Sequence, residues 1–108
     1  MAEVFKAKSY GVEGFEKIIA INGFDLDLPP TEYLLFLQYT DRPGVVGTVG
    51  SLLGSAGINI AGMQVARNEA GGVALMALNI DSSLSPEIVA KVAQETGAEL
   101  VRAVTLVS

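Results

Sequence analysis

The residues best suited to chemistry in this sequence lie in one turn, Asp41-Arg42-Pro43-Gly44, directly before an apolar pattern with helical spacing. The first N–H groups of a helix have no intrahelical acceptor, so they can hold a carboxylate. Asp41 can accept hydrogen bonds from an ammonium group, and Gly44 lets a small ligand approach the backbone. A free α-amino acid requires these two sites side by side. An Asp before a helix is also an ordinary N-cap, and chemistry alone favours this interpretation over a ligand site.

Other kinds of site find little support. The sequence contains no Cys and no His, which excludes thiolate nucleophiles, His-based triads and most metal-ligand clusters. Asp25 and Asp27 face the same side of a predicted strand. With no further oxygen ligands nearby, we interpret this pair as a solvated surface rather than a calcium or acid/base site. We predict no catalytic residue, metal or cofactor in this chain.

The composition predicts one ordered globular domain. Of the 108 residues, 50% are hydrophobic and 18% are charged. A net charge of −5 without a basic run argues against a nucleic-acid partner. No apolar run reaches the roughly 18 residues of a membrane span, and the first residues lack the apolar core of a signal peptide. We expect a cytoplasmic protein with no membrane partner.

Hydrophobic spacing predicts the elements that position the turn. Residues 33–40 form a strand, and a helix follows with one apolar stripe and with Asp41 as its cap. Two strands joined by a turn at residues 68–71 come next, with a bulge at Gly62, then a helix opened by Ser85 and Pro86 and a last strand. This order predicts an α+β, ferredoxin-like βαββαβ sandwich, a four-stranded antiparallel sheet with two helices on one face. The expected core residues are Val46, Val49, Leu53, Val89 and Val92.

Residues 1–28 have a different pattern. Apolar runs flank Asn22-Gly23, the dipeptide typical of a tight hairpin turn, and Pro29-Pro30 follow in a stiff linker over residues 29–32. Because two strands alone are marginally stable, we interpret residues 1–28 as the C-terminal remnant of a preceding intervening domain. We expect this hairpin to be poorly anchored or borrowed into a neighbour's sheet. Residues 33–108 form the second domain.

Two features predict a homo-oligomer. The strands around residues 33–40 and 73–80 are apolar on both faces, so the second face should meet another copy or the preceding domain. Gly47, Gly50 and Gly54 each destabilise a helix by about 1 kcal/mol relative to Ala. Their spacing differs from the G-x-G-x-x-G of dinucleotide-binding loops. They mark a close approach, either to a neighbour within the chain or to the same helix of a second subunit.

The stretches YTDRPGVVGTVGSLLGSAGINIAGMQVAR and AGGVALMALNID resemble ACT domains, the amino-acid-sensing modules at the C-terminus of D-3-phosphoglycerate dehydrogenases. The resemblance covers Tyr33 to Ser108. INGFDLDLPP is similar to the end of the intervening domain in the longer members. The resemblance implies a parent enzyme that oxidises 3-phosphoglycerate with NAD in the first step of serine biosynthesis, with catalytic and NAD-binding residues upstream of this fragment.

The resemblance also implies a feedback site for L-serine between two ACT domains. The loop before the first helix of one domain and an Asn at the start of the second strand of the other hold the effector. Some members carry His where this chain has Tyr39. When the family's effector-binding positions are transferred to this sequence, the resemblance implies the residues Tyr39, Asp41, Arg42, Pro43, Gly44, Val45, Val46, Asn59 and Ile60.

Three alternatives stay open at this point. The parent can be an iron-sulfur L-serine dehydratase with a similar regulatory part. The domain can serve only to assemble subunits. An RNA-binding sheet is disfavoured by the acidic charge and by the lack of the required aromatic motif.

Overall fold

The computed structural model describes residues 7–12, 15–21, 24–29, 31–67 and 72–105. Within them, two antiparallel sheets have the strand orders β1-β2-β3 and β5-β6-β4-β7. None of the described helices is both long and apolar enough to cross a membrane. The described elements are β1 (Ala7–Val12), β2 (Phe15–Ile21), β3 (Phe24–Leu28), β4 (Tyr33–Thr40), α1 (Val45–Ser55), β5 (Ile60–Arg67), β6 (Val73–Ile80), α2 (Pro86–Thr96) and β7 (Leu100–Thr105).

The four-stranded sheet and its two helices form the predicted sandwich. The central strands β4 and β6 pair without a break, from Tyr33 opposite Ile80 to Thr40 opposite Val73. Both are covered on both faces, so most of their residues are buried. The prediction of an α+β, ferredoxin-like βαββαβ fold is confirmed. The helices α1 and α2 pack on the face that carries Leu35, Leu37, Tyr39, Met76 and Leu78.

The helix α1 contributes a narrow apolar stripe to this core. Val45, Val49 and Leu53 are buried and lie four residues apart, on one side of the helix. Val46 is instead 44% exposed, and Ala56 is also exposed. The prediction that Val46 lies in the core is therefore wrong. Successive residues are about 100° apart around a helix, so a stripe centred on Val45 and Val49 turns Val46 away from the sheet.

The helix α2 begins and ends as the sequence predicts. The Oγ of Ser85 accepts the backbone N–H of Ile88 at 3.3 Å. Gly97 closes the helix in the left-handed conformation, with φ of +66°. Val92 is fully buried, and Val89 packs partly buried against the core.

The strand β3 covers the second face of the four-stranded sheet. Phe24 and Leu26 are 3% and 5% exposed and belong to one cluster with Leu34, Phe36 and Leu75. The predicted cover for this apolar face therefore comes from the chain's own preceding segment. The expectation of a poorly anchored hairpin is wrong, because burying two large apolar side chains stabilises the contact by about 2 kcal/mol each.

The strands β2 and β3 pair as the predicted hairpin, with Ile21 opposite Phe24. Its turn residues, Asn22 and Gly23, lie outside the described residues, as does the turn at residues 68–71. The strand β1 pairs with β2 and is an element that the sequence did not predict. The assignment of residues 1–28 to a preceding domain stays a prediction.

The connection between the two sheets is fastened to β6. Asn79 is 4% exposed, and its Nδ2 donates to the carbonyl oxygen of Pro29 at 2.9 Å and to the Oγ1 of Thr31 at 2.8 Å. The strand β5 has the predicted bulge, between Ile60 and Gly62. A Cβ on Gly62 would lie 3.0 Å from the Oδ1 of Asn79. Glycine at this position therefore makes room for the amide that holds the linker.

Candidate functional site

The Asp41 turn lies at the end of the sheet where β4 and β5 finish and β6 begins. The strand β4 ends opposite Val73, and β5 ends with Arg67 opposite Ala74. Because Val73 and Ala74 are neighbours on β6, the residues that follow β4 and β5 emerge at the same level. The N–H of Asp41 donates to the carbonyl oxygen of Gly72 at 2.8 Å, which continues the β4–β6 ladder by one residue. This register brings Asp41 close to Arg67.

Asp41 and Arg67 form an ion pair across the end of the sheet. The Nε of Arg67 donates to the Oδ2 of Asp41 at 2.7 Å. The Asp41 side chain is 18% exposed and that of Arg67 is 52% exposed, so the guanidinium is the more accessible partner. The N-cap residue of α1 is Gly44, with no side-chain cap hydrogen bond. The prediction that Asp41 caps α1 is wrong, because its carboxylate is directed across to β5 instead.

The start of α1 presents backbone donors to the surroundings. Gly44 has φ of +93°, a left-handed conformation that favours glycine. The first intrahelical bond runs from the N–H of Thr48 to the carbonyl oxygen of Gly44 at 3.0 Å, and the Oγ1 of Thr48 donates to the same oxygen. The N–H groups of Val45, Val46 and Gly47 come before any helical acceptor. Val45 is buried, so the exposed donors on which a carboxylate would rest are those of Val46 and Gly47.

Arg42 ties the turn to the end of α2. Its Nη2 donates to the carbonyl oxygen of Thr96, where the unpaired carbonyls and the helix dipole favour a cation. Thr96 is itself fixed, because its Oγ1 donates to the Val92 carbonyl at 2.6 Å and accepts from the N–H of Ala98 at 3.2 Å. A Cβ on Gly97 would lie 3.4 Å from Nη2. Arg42 therefore shapes the turn through a contact within the chain.

The other residues of the loop divide between core and surface. Tyr39 and Val45 are each 2% exposed and pack beneath the start of α1, where they support the turn. Pro43 and Gly44 are exposed, as is Val46. Arg42 is exposed as well, so the accessible part of the loop consists of Arg42, Pro43, Gly44 and Val46.

The phenol of Tyr39 lies in the electrostatic field of the ion pair. Burial raises the pKa of Tyr39 above its ordinary value, the negative charge of Asp41 raises it further, and the positive charge of Arg67 opposes this. The phenol therefore stays neutral at physiological pH. It can contribute a hydrogen-bonding hydroxyl but no charge.

Asn59 is held in place from β6. Its N–H donates to the Oδ1 of Asp81 at 3.0 Å, and the N–H of Asp81 donates to the Asn59 carbonyl at 3.2 Å. The Asn59 bond and a further bond from the Ser82 hydroxyl lower the pKa of Asp81. Asn59 itself is exposed, and Ile60 is half-buried. The backbone of Asn59 is thus held by Asp81, while the residue as a whole stays exposed.

One copy of the chain does not unite the two parts of the implied site. The Asp41 turn precedes α1, and Asn59 follows it. At 1.5 Å per residue, the 11 residues of α1 span about 16 Å. A single small ligand cannot bridge this separation within one copy of the chain.

The glycines of α1 leave one side of the helix open. A Cβ on Gly47, Gly50 or Gly54 would meet no described atom within 4 Å. The interpretation that these glycines serve close packing within the chain is therefore wrong for the described residues. The helix α2 contacts β7 at one edge of the sheet, so α1 covers the half toward β5.

A family model described as the ACT domain matches residues 33–97. The chain belongs to the ACT domain family. It is similar to the D-3-phosphoglycerate dehydrogenase of Bacillus subtilis, at 50% identity over 74 residues that make up 68% of this chain and 14% of the relative. It is also similar to those of Synechocystis, at 40% over 81 residues (75% and 15%), and of Mycobacterium tuberculosis, at 34% over 97 residues (90% and 18%). The chain therefore spans less than a fifth of each relative.

Sequence reasoning missed two residues that contact the candidate site residues, Arg67 and Asp81. Both act through partners distant in the chain, Asp41 and Asn59 respectively. A signal for Arg67 was present, because a cation that ends a strand next to the predicted 68–71 turn must emerge near the start of β6. Finding it required the register of β5 against β6 and β4, which the strand pattern alone does not provide.

Proposed function

We propose that this ACT domain is the regulatory part of a D-3-phosphoglycerate dehydrogenase, and that it binds L-serine between two copies for feedback control of serine biosynthesis. The observation that carries the proposal is the Asp41 turn. The Asp41 carboxylate and the open backbone donors of a helix start belong to one short turn, in a family whose relatives bear the name of that enzyme. Asp41 binds the ammonium, and the start of α1 binds the carboxylate.

The second copy supplies the rest of the pocket. The strand β5 is an edge strand, and α1 covers the same half of the sheet with its glycine side open. Two copies meeting antiparallel along β5 and α1 place the Asp41 turn of one against Asn59 of the other. The Asn59 amide can donate and accept hydrogen bonds, and a serine hydroxyl can likewise accept one from it and donate one to it. A large apolar side chain would leave the amide unpaired, which destabilises the complex by about 1–3 kcal/mol.

The parent enzyme would use NAD to oxidise 3-phosphoglycerate in the cytoplasm, with the catalytic and NAD-binding residues outside these 108 residues. The names of the relatives favour this parent over an iron-sulfur serine dehydratase. The described part of the chain offers regulation rather than catalysis, because its candidate groups suit the binding of a small zwitterion.

Titration calorimetry of the 108-residue chain with L-serine tests the proposal. We expect saturable binding that is lost in Asp41→Asn and in Asn59→Ala. Glu95→Gln and Gln94→Ala are matched controls on the exposed surface of α2, and both should bind as the wild type does. Sedimentation should show that L-serine tightens the dimer, since a ligand that contacts both copies favours the associated state.

Two results would contradict the proposal. The first is no binding at millimolar L-serine. The second is binding that survives both Asp41→Asn and Asn59→Ala. A dimer that forms without any response to L-serine would leave subunit assembly as the function.

A further inference from the structure

The strand β5 ends with Arg67 at the edge of the four-stranded sheet. If two copies pair antiparallel along β5, the last residue of one strand lies opposite the first residue of the other. Arg67 is then next to Ile60 and Asn59 of the second copy. Its ion pair with Asp41 already places it beside the turn of its own copy. In that arrangement Arg67 would lie between the two parts of the proposed pocket.

The guanidinium of Arg67 is only partly used by this ion pair. The bond to Asp41 runs through Nε, and a guanidinium carries four further N–H donors on Nη1 and Nη2 in a rigid plane. With the side chain 52% exposed, this outer edge of the guanidinium reaches the solvent side of the turn. Such an edge matches the geometry of a carboxylate.

The ion pair also matches the charge distribution of an amino acid. The ammonium and carboxylate of an α-amino acid are attached to one carbon, so the two charges lie close together, as they do in the Asp41–Arg67 pair. Asp41 alone would attract any amine, and a helix start alone would attract any small anion. A carboxylate and a guanidinium in direct contact prefer a ligand that carries both charges.

We propose that Arg67 is a further ligand-binding residue of this ACT domain, whose Nη groups bind the carboxylate of the amino acid while Asp41 binds its ammonium. This inference rests on the proposed function. It makes Arg67 responsible for selecting amino acids over simple amines, with the start of α1 as the second donor to the same carboxylate.

The test compares L-serine with ethanolamine, which keeps the ammonium and hydroxyl of serine but lacks the carboxylate. Both are titrated into the wild-type chain and into Arg67→Gln, by calorimetry for L-serine and by NMR at high ligand concentration for ethanolamine. We expect Arg67→Gln to weaken L-serine binding at least tenfold, equivalent to about 1.4 kcal/mol. Ethanolamine binding should not be weakened, because Asp41 loses a competing cation, and Arg67→Lys should restore part of the affinity for L-serine. Arg102→Gln is the matched control, because Arg102 is exposed on the opposite edge strand, β7.

Each other outcome overturns the inference in a recognisable way. Unchanged L-serine affinity in Arg67→Gln shows that Arg67 does not contact the ligand. Tighter binding shows that Arg67 competes with the ammonium for Asp41. An equal loss for L-serine and ethanolamine shows that Arg67 only positions Asp41. If the wild-type chain binds no L-serine, the proposed function fails and this inference fails with it, whereas wild-type binding with an unaffected variant removes only the role of Arg67.

Discussion

Replacing Asn79 by alanine should unfasten the linker from the four-stranded sheet. The Asn79 amide makes two hydrogen bonds, at 2.9 Å to Pro29 and at 2.8 Å to Thr31. A hydrogen bond of this kind contributes about 0.5–1.5 kcal/mol net. Pro29 and Thr31 are exposed, so water can solvate their oxygens once the amide is gone. We therefore expect Asn79→Ala to lower the free energy of unfolding by about 1–3 kcal/mol.

Urea denaturation of the 108-residue chain, followed by circular dichroism, measures this change. Gln94→Ala on the exposed side of α2 is the matched control and should change stability by less than about 0.5 kcal/mol. Thr31→Val removes one acceptor, so a double-mutant cycle with Asn79→Ala isolates that bond and should give a coupling energy of about 1 kcal/mol.

Two outcomes would refute the reasoning. One is an Asn79→Ala stability within about 0.5 kcal/mol of the wild type. The other is strict additivity of Asn79→Ala with Thr31→Val in the double-mutant cycle. Either would mean that the apolar contacts of Phe24 and Leu26 hold β3 in place without the linker being fastened.

Three further predictions concern α1 and the Asn59 support. Gly44→Ala should lower the unfolding free energy by about 1–2 kcal/mol, because φ of +93° strains an L-residue, and an unchanged urea midpoint would contradict this. Gly50→Ala should stabilise the dilute monomer by up to about 1 kcal/mol, since the added Cβ would meet no described atom. The same change should weaken self-association measured by sedimentation, because the Cβ would stand in the proposed interface. Undiminished association would count against that interface. The ionised Asp81 carboxylate stabilises the folded state, because its pKa is lower there than the unfolded value of 3.8. This contribution to the free energy of unfolding is complete above the unfolded pKa and is lost as pH falls through the lower folded pKa. Asp81→Asn should remove it. Urea titrations at several pH values should therefore show the two proteins converging in acid, and a constant difference would disprove this.

Local patterns in the sequence were sufficient for the architecture of residues 33–108. The helix ends at Ser85 and Gly97 and the bulge at Gly62 depend on side-chain chemistry within a few residues, and all three are where the sequence predicts them. The strand β1 was missed because AKSYGV mixes small, polar and apolar residues without a clear alternation. The strand forms because it pairs with β2, a non-local contact that its own residue pattern does not indicate.

The errors at the site arise from non-local contacts. Asp before Pro near a helix start is typical of a cap, yet Arg67, distant in the chain, takes the Asp41 carboxylate. Val45 and Val46 are equally apolar, and only the rotation of α1 on the sheet decides which one is buried. The role of Arg42 was equally hard to predict, because the carbonyl group that it binds belongs to Thr96, distant in the sequence. Sequence spacing predicts which elements exist, whereas their relative rotation and register select the contacts.

The composition of α1 is difficult to account for in a single copy of the chain. Gly47, Gly50 and Gly54 together destabilise the helix by about 3 kcal/mol relative to alanine, and no described atom uses the space they leave. A second copy against that side would offset the loss through close backbone packing. The same approach would complete the pocket, because the turn and Asn59 lie about 16 Å apart in one copy. Association and ligand binding are then coupled by mass action. At a ligand concentration 100 times Kd, each occupied site would favour the dimer by about 2.7 kcal/mol, roughly a hundredfold in its dissociation constant. A domain built in this way would convert the concentration of a small amino acid into a change of assembly.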